Sequence, residues 1–387
     1  MSVIYFLLVL SVLVLGHELG HYLAARMSGV KAEEFGYGFP PRAVGFARRA
    51  GKWVRVKRHE SHTFSGTIWS LNWLPLGGFV RLKGEQGEDA TSPDSFLSKG
   101  PWTRLWILSA GVLMNVLMAW FIFTTGYVIG VPAQTDNLPP GAEVRDAKIQ
   151  ITDVVAESAA AKGNVQPGDF LIALNHEPTT DIQATRERLL SLTSSTGTMT
   201  LTIEHEKQVR DLVVEPAYIA SLQRPGLGIA MMNTGIVRLP IHQAILQGFM
   251  TTVYDAWFIL SSFGGLIHDL VTQRHITADV SGPVGIAVIT GKVVQQGIWP
   301  LAQFAALLSI NLAIVNFLPI PALDGGRALF VGIEALRRRR ADPRFEAFCH
   351  QIGFITLLIL VGFVTIHDVR TYGGAIWLGL KNIIGIS

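Results

Sequence analysis

Two histidines flank a glutamate in the run His17-Glu18-Leu19-Gly20-His21. On a helix, positions i and i+4 share a face, so both imidazoles can reach one zinc ion at roughly 2.0–2.1 Å. The glutamate, about 100° around the axis, reaches a water beside it. Chance alone produces this pattern in a chain of this composition with a probability of roughly 1%, so its surroundings have to decide. Those surroundings are apolar: residues 3–16 read VIYFLLVLSVLVLG. An ionisable group at membrane depth costs roughly 2.5–3.5 kcal/mol, and a bound cation offsets that cost. At the cytoplasmic interface the same three side chains would simply be hydrated.

Two histidines leave a zinc site one protein ligand short. Metzincin spacing would place a third histidine at position 27, which is Met27. The single cysteine, Cys349, allows neither a thiolate cluster nor an internal disulfide, so a metal must use histidine and carboxylate. Asp324 is the only acidic residue between Asp279 and Glu334, and it closes the segment NFLPIPALDGG, 316–326. It has an ordinary alternative role as N-cap of the helix expected over 325–336. Pro319 and Pro321 shift the balance towards a site. They break a helix within the membrane, where unwound backbone is tolerated if it lines a protein cavity.

The elements that must position these residues are mostly lipid-soluble. Of 387 residues, 16% are charged, well below the roughly 25% of soluble proteins, and the mean hydropathy is +0.36. Spanning hydrocarbon takes roughly 20 apolar residues. Residues 3–27, 105–130 and 301–323 qualify, and 352–366 forms a shorter fourth span. Residues 249–270 carry Asp255 and His268 and read as an amphipathic or interfacial helix. From 28 to 104 there are 12 Lys and Arg against 7 Asp and Glu, from 325 to 351 6 against 3, and from 131 to 300 11 against 16. Four spans put the two basic stretches in the cytoplasm and the acidic one outside, with both termini outside. The first span has no Lys or Arg before it, while Arg26 and Lys31 lie at and after its end, so it reads as a retained helix rather than a cleaved signal. Arg337 to Arg340 read as a topology anchor on anionic lipid. The net charge of +3 is too small and too one-sided for nucleic acid.

The expected fold class is a polytopic α-helical membrane protein with about four transmembrane helices, a membrane-associated β-hairpin sheet and an inserted mixed α/β domain. Its parts are span 1–27, β region 28–103, span 104–130, outer domain 135–235, outer amphipathic region 236–300, span 301–324, basic loop 325–351, span 352–367 and tail 368–387. In the outer domain FLIALN (170–175) and MTLTIEHE (199–206) alternate as strands do, and 185–192 reads as a short helix. In the β region WVRVKRH and FVRL are strand-like, and Trp69, Trp73, Leu74 and Leu76 are apolar tips able to enter the bilayer. Asn115 reads as an interhelical hydrogen-bonding residue. His59, His62, His242, His268 and His275 show no ligand spacing and read as surface or interfacial.

HELGH, the Gly-Tyr-Gly-Phe-Pro-Pro region, PLGGFV (75–80), SGPVGI (281–286) and NFLPIPALDGG follow one another in the order found in the site-2 proteases. The chain resembles that family, and within it the bacterial regulators of sigma-E protease. The run SAAAKGNVQPGDFLIALNHEPTT resembles the PDZ domains of bacterial membrane proteases; one such unit is present where the best-known relatives carry two. GVLMN (111–115) departs from relatives that commonly have proline after the glycine. The resemblance implies an intramembrane zinc metalloprotease with one Zn2+, His17, His21 and Asp324 as ligands and Glu18 as catalytic base. A helical substrate has to unwind before attack, so the Gly-rich hairpins of 35–82 and the extended segment 316–323 are expected to offer strand partners, with substrate contacts at Asn316, Pro319, Pro321, Gly77 and Gly78. The implied partners are single-span membrane proteins in the bilayer, such as an anti-sigma factor or a signal-peptide remnant, and an extended peptide or chain end at the PDZ domain. The implied location is the bacterial inner membrane, with the PDZ domain outside the cytoplasm. A catalytically silent PDZ scaffold is the alternative, but it has no need to keep two histidines, a glutamate and an aspartate together. A metal transporter would want polar residues along a path, and one cluster is seen.

Overall fold

The computed structural model describes residues 2–49, 51–56, 64, 66–85, 87, 89–136, 138–155, 157–194, 197–205, 208–219, 224–272, 281–339 and 342–384. His59, His62, His275 and Asp279 fall outside the described residues. The chain runs α1 (Ser2–Met27), β1 (Ala32–Arg49), β2 (Lys52–Arg55), β3 (Ile68–Leu82), α2 (Pro101–Ile129), β4 (Val131–Gln134) and β5 (Glu143–Val154). It continues through α3 (Ala159–Lys162), β6 (Phe170–Leu174), β7 (Glu177–Pro178), α4 (Ile182–Ser194), β8 (Met199–His205), β9 (Gln208–Val214), β10 (Ala217–Ile219), β11 (Arg224–Gly226) and β12 (Ile229–Arg238). It ends with α5 (Ile241–Thr272), α6 (Pro283–Gln296), α7 (Ile298–Phe317), α8 (Asp324–Arg337) and α9 (Pro343–Ile384). Two compact units result: Met1–Phe123 with Gly248–Ser387, and Thr124–Gln247.

In the first unit four helices are long and apolar enough to cross a membrane: Ser2–Met27, Pro101–Ile129, Ile298–Phe317 and, within α9, Arg344–Gly373. They are the four segments that hydropathy selects. α1 stops where Gly29 takes φ 67°, a turn that lets the Val30 N–H close back on the Ala25 carbonyl at 2.8 Å. α1 meets α2 through small residues: a Cβ on Gly16 would overlap Met118, and one on Gly20 would overlap the Ala110 carbonyl. Without a hydrophobic drive in lipid, such close approach is what holds helices together. α7 ends at Phe317, ahead of Pro319 and Pro321, as the prolines require. At the other end of the chain the helix expected over 325–336 is present as α8, and one helix of 42 residues, α9, runs from the end of the expected basic loop through the expected span 352–367 into the expected tail. No proline follows Pro343, and the glycines inside cost only about 1 kcal/mol each, so nothing breaks the helix where charge and hydropathy suggested boundaries. α5, read as interfacial over 249–270, extends over 32 residues and is not among the four candidate spans.

The sheet of this unit has the order β2-β1-β3. β3 pairs with β1 twice, Ser70 against Gly36 and Gly45, and Val80 against Phe35; its last residues, 78–82, lie alongside α1, where Gly78 approaches Leu15 and the Val80 N–H meets Glu18. Phe39, Trp73 and Leu74 are exposed at the far end of these hairpins.

The second unit is a seven-stranded antiparallel sheet, β4-β12-β5-β6-β8-β9 with β7 against β6, together with α3 and α4. β8 shows why it folds as it does: Met199, Leu201 and Ile203 are buried while Thr200, Thr202 and Glu204 are not, the period-two pattern of a half-covered strand. Those three join Ile149, Ile151, Leu171, Leu174 and Leu189 in one core. The strands expected at 170–175 and 199–206 are described over Phe170–Leu174 and Met199–His205, and the helix expected at 185–192 runs longer, over Ile182–Ser194.

Candidate metal centre

α1 and α8 bring His17, His21 and Asp324 together. His17 Nε2 lies 2.9 Å and His21 Nε2 3.1 Å from Asp324 Oδ2, and the two Nε2 atoms are 3.1 Å apart. A tetrahedral zinc with ligands at roughly 2.0–2.1 Å keeps them roughly 3.3 Å apart, so the triangle is close to what one ion requires. Both histidines are buried, at 5% and 6% exposure.

The donor set supports a cation there. His21 Nδ1–H donates to the Ile107 carbonyl at 2.8 Å, because a carbonyl can only accept. In the neutral ring Nε2 is then a lone pair, aimed at a carboxylate oxygen and at a second imidazole nitrogen. Lone pairs that converge in this way repel one another unless a cation lies among them. His17 has an equivalent support in Asn115, fully buried on α2, whose carboxamide is 3.3 Å from His17 Nδ1. With Nδ2 facing His17, Asn115 Oδ1 has no partner; turned end for end, it accepts from the His17 ring and fixes the same tautomer. Asn115 is thus an interhelical hydrogen-bonding residue, and its partner is a metal-ligand candidate.

Asp324 does not act as an N-cap. The N-cap of α8 is Leu323, and no side chain caps that helix start. The carboxylate turns to the histidines instead. Gly325 and Gly326 make the turn possible: a Cβ on either would overlap the carbonyls of Phe317, Leu318 or Ile320.

A cleft of about 830 Å³ opens beside the three ligand candidates. Glu18 lines it, and Glu18 Oε2 accepts the Val80 N–H at 2.9 Å, so β3 holds the carboxylate in place. Gly77, Gly78 and Asn316 also line the cleft, with Asn316 Nδ2 3.5 Å from His17 Nε2. Pro319 and Pro321 do not. Pro319 lines a separate apolar groove between α2 and α8, and Pro321 packs under Gly353 of α9. The prolines shape the loop rather than the cleft wall. An ion pair between Arg327 and Glu85 borders the cleft. His242 and His268 are exposed, the latter 3.6 Å from Asp269, and neither contributes to the cluster.

Gly111, Val80 and the Ile107 carbonyl were not foreseen as parts of the site. A Cβ on Gly111 would overlap His21 Nε2 and come within 2.8 Å of His17 Nε2, so this glycine makes room for both rings. Its signal is its spacing from Asn115, one helical turn away on the same face. The other two act through backbone atoms, which residue types do not reveal.

Residues 5–360 match the family model of peptidase family M50. The zinc metalloprotease RasP of Geobacillus kaustophilus is 28% identical over 455 residues, covering 96% of this chain and 98% of that protein. A Rhizobium meliloti protein provisionally named a zinc metalloprotease is 30% identical over 390 residues, covering 94% and 95%. Among solved structures, the PDZ domain of an SdrC-like protein from Listeria innocua matches 22% of this chain and 92% of its own length, at 17% identity and a TM-score of 0.19. The chain belongs to peptidase family M50, and the likeness to site-2 proteases read from its motifs is borne out at the level of the family.

Proposed function

From a peptidase family M50 chain with this cluster, we propose an intramembrane zinc metalloprotease in which His17, His21 and Asp324 hold one zinc ion and Glu18 is the general base. The observation that carries the reading is the convergence of three ligand atoms from α1 and α8, all within 4.8 Å of one another, in a part of the chain built of apolar helices. Zinc held there supplies Lewis-acid polarisation of a carbonyl and brings water towards ionisation near neutral pH. Glu18 takes a proton from the attacking water and delivers it to the leaving amide nitrogen. Val80 N–H engages Glu18 Oε2, which leaves Oε1 as the basic atom.

A transmembrane helix hides its peptide bonds in i to i+4 hydrogen bonds and has to unwind before attack. The last residues of β3, 78–82, offer the unwound segment backbone partners, and Gly77 at φ 78° makes the bend that brings them to the cleft. Asn316 is proposed to hold substrate backbone beside the metal ligands. Single-span membrane proteins are the substrate class, with anti-sigma factors and signal-peptide remnants as the candidates implied by the resemblance to sigma-E regulators. The second unit is read as a PDZ domain on the outer face of a bacterial inner membrane, taking an extended peptide or chain end. The silent-scaffold alternative is disfavoured because Glu18, idle in a scaffold, lines the same cleft as the three ligand candidates.

Co-expression with a panel of single-span reporters tests the reading. Wild type is expected to cleave at least one, and Glu18→Gln to slow that cleavage by ~10²-fold or more. Cleavage that persists in Glu18→Gln removes the proposed base. Asn316→Leu with unchanged cleavage and unchanged binding of a peptide mimic removes Asn316 from the site.

A further inference from the structure

The loop that carries Asp324 to the histidines is held from behind by α9. Ala322 sits at φ 82°, in the left-handed region that residues other than glycine rarely adopt. Its N–H donates to His350 Nδ1 at 2.8 Å. Three residues further along α9, Gly353 lies so close that a Cβ there would overlap the Pro321 carbonyl. An imidazole accepting at Nδ1 carries its proton on Nε2. His350 Nε2 is buried without a hydrogen-bond partner, and Glu346 Oε1, one turn earlier on the same helix, stands 3.9 Å from it. A small side-chain movement completes a carboxylate–imidazole–backbone chain that favours this tautomer.

We propose that His350 is a positioning residue for the metal centre: by accepting the Ala322 N–H it holds the left-handed turn that delivers Asp324 to His17 and His21. This rests on Asp324 being a zinc ligand. His350 touches neither the cleft nor the ligands; it acts through two residues of backbone. Without the acceptor, Ala322 relaxes towards negative φ and the carboxylate swings away from the two Nε2 atoms.

The test is the zinc affinity of the purified full-length protein, read by competition with a chromogenic chelator, with thermal unfolding in detergent as the control for folding. His350→Ala is expected to bind zinc ~10–100-fold more weakly, the usual cost of losing a residue that orients a ligand. His350→Asn puts Oδ1 near the Nδ1 position and is expected to stay within about threefold of wild type. His350→Gln fills similar space but places its amide near Nε2, and is expected to lose affinity as alanine does. Ala322→Gly in the His350→Ala background should recover affinity, since glycine adopts positive φ without steric cost. Affinity in His350→Ala and His350→Gln equal to wild type, with zinc lost in Asp324→Ala, overturns the role of His350 and leaves the metal centre standing. Equal loss in the asparagine and glutamine variants also overturns it, because the acceptor would not be the cause. Wild type that binds no zinc, or Asp324→Ala that binds it fully, sinks the ligand assignment itself.

Discussion

Asp324 and Asp368 are both set at the start of a helix in the first unit, and they do opposite things there. Asp368, on α9 and 1% exposed, accepts the Gly282 and Gly285 N–H groups at 3.0 and 2.8 Å and so caps α6 from a neighbouring helix. A carboxylate on free N–H groups is what a helix N-terminus favours. Asp324, the first residue of α8, caps nothing and faces two imidazole nitrogens. A carboxylate that forgoes its cap in order to meet two other potential ligands points to chemistry. One that takes the cap is accounted for by the fold.

The sharpest way to break that comparison is to remove each carboxylate in turn. Asp324→Ala is expected to weaken zinc binding by more than ~100-fold, beyond the cost of losing an outer-shell partner, and to leave the unfolding free energy of the metal-free protein within about 1 kcal/mol. Asp368→Ala strands two buried N–H groups at roughly 1–3 kcal/mol each, so it should lower stability by about 2–6 kcal/mol and leave zinc affinity within about threefold. Chelator competition and thermal unfolding in detergent read the two quantities separately. The contrast is lost if the two variants move both together.

A smaller effect is expected from filling the space beside each carboxylate. Gly111→Ala places a Cβ against the Nε2 atoms of both histidines and should weaken zinc ~10–100-fold, with little change in metal-free stability. Gly282→Ala places a Cβ 2.6 Å from Val364 Cγ1 and 2.8 Å from Asp368 Oδ2, so it should cost about 1–3 kcal/mol of stability and spare zinc. Loss of zinc in Gly282→Ala would mean that the α6 cap and the metal centre are one cooperative element.

The candidate ligands were legible because their types and spacing are constrained: His17 and His21 by the helical period, Asp324 by its isolation in an apolar run broken at Pro319. The four candidate spans were legible because crossing lipid takes long apolar runs. What sequence hid was carried by backbone or by absence. Val80 and Ile107 act through an N–H and a carbonyl that any residue has, and Gly111 acts by having no side chain. His350 was invisible because its partner, the Ala322 N–H, matters only once Ala322 is known to be left-handed. The length of α9 was not legible from charge, because helix continuity depends on the lack of breakers more than on polarity.

A third aspartate supplies the scale for the other two. Asp181, exposed and immediately before α4 in the second unit, accepts the Ala184 N–H at 2.8 Å and is an ordinary N-cap. Removing it should cost only what a solvated cap is worth. Asp181→Ala is expected to destabilise α4 by about 1 kcal/mol, seen as faster hydrogen exchange over Ile182–Ser194 in the full-length protein, with zinc affinity unchanged. Asp181→Asn keeps an acceptor in the same place and gives up only the charge near the helix dipole, so it should cost a few tenths of a kcal/mol. The ordering tests the physics of the comparison: an exposed cap competes with water, whereas the N–H groups served by Asp368 have none to turn to. If Asp181→Ala proved as damaging as Asp368→Ala, burial would not be what separates these carboxylates. The inference from the uncapped start of α8 to a metal ligand would then lose its energetic footing.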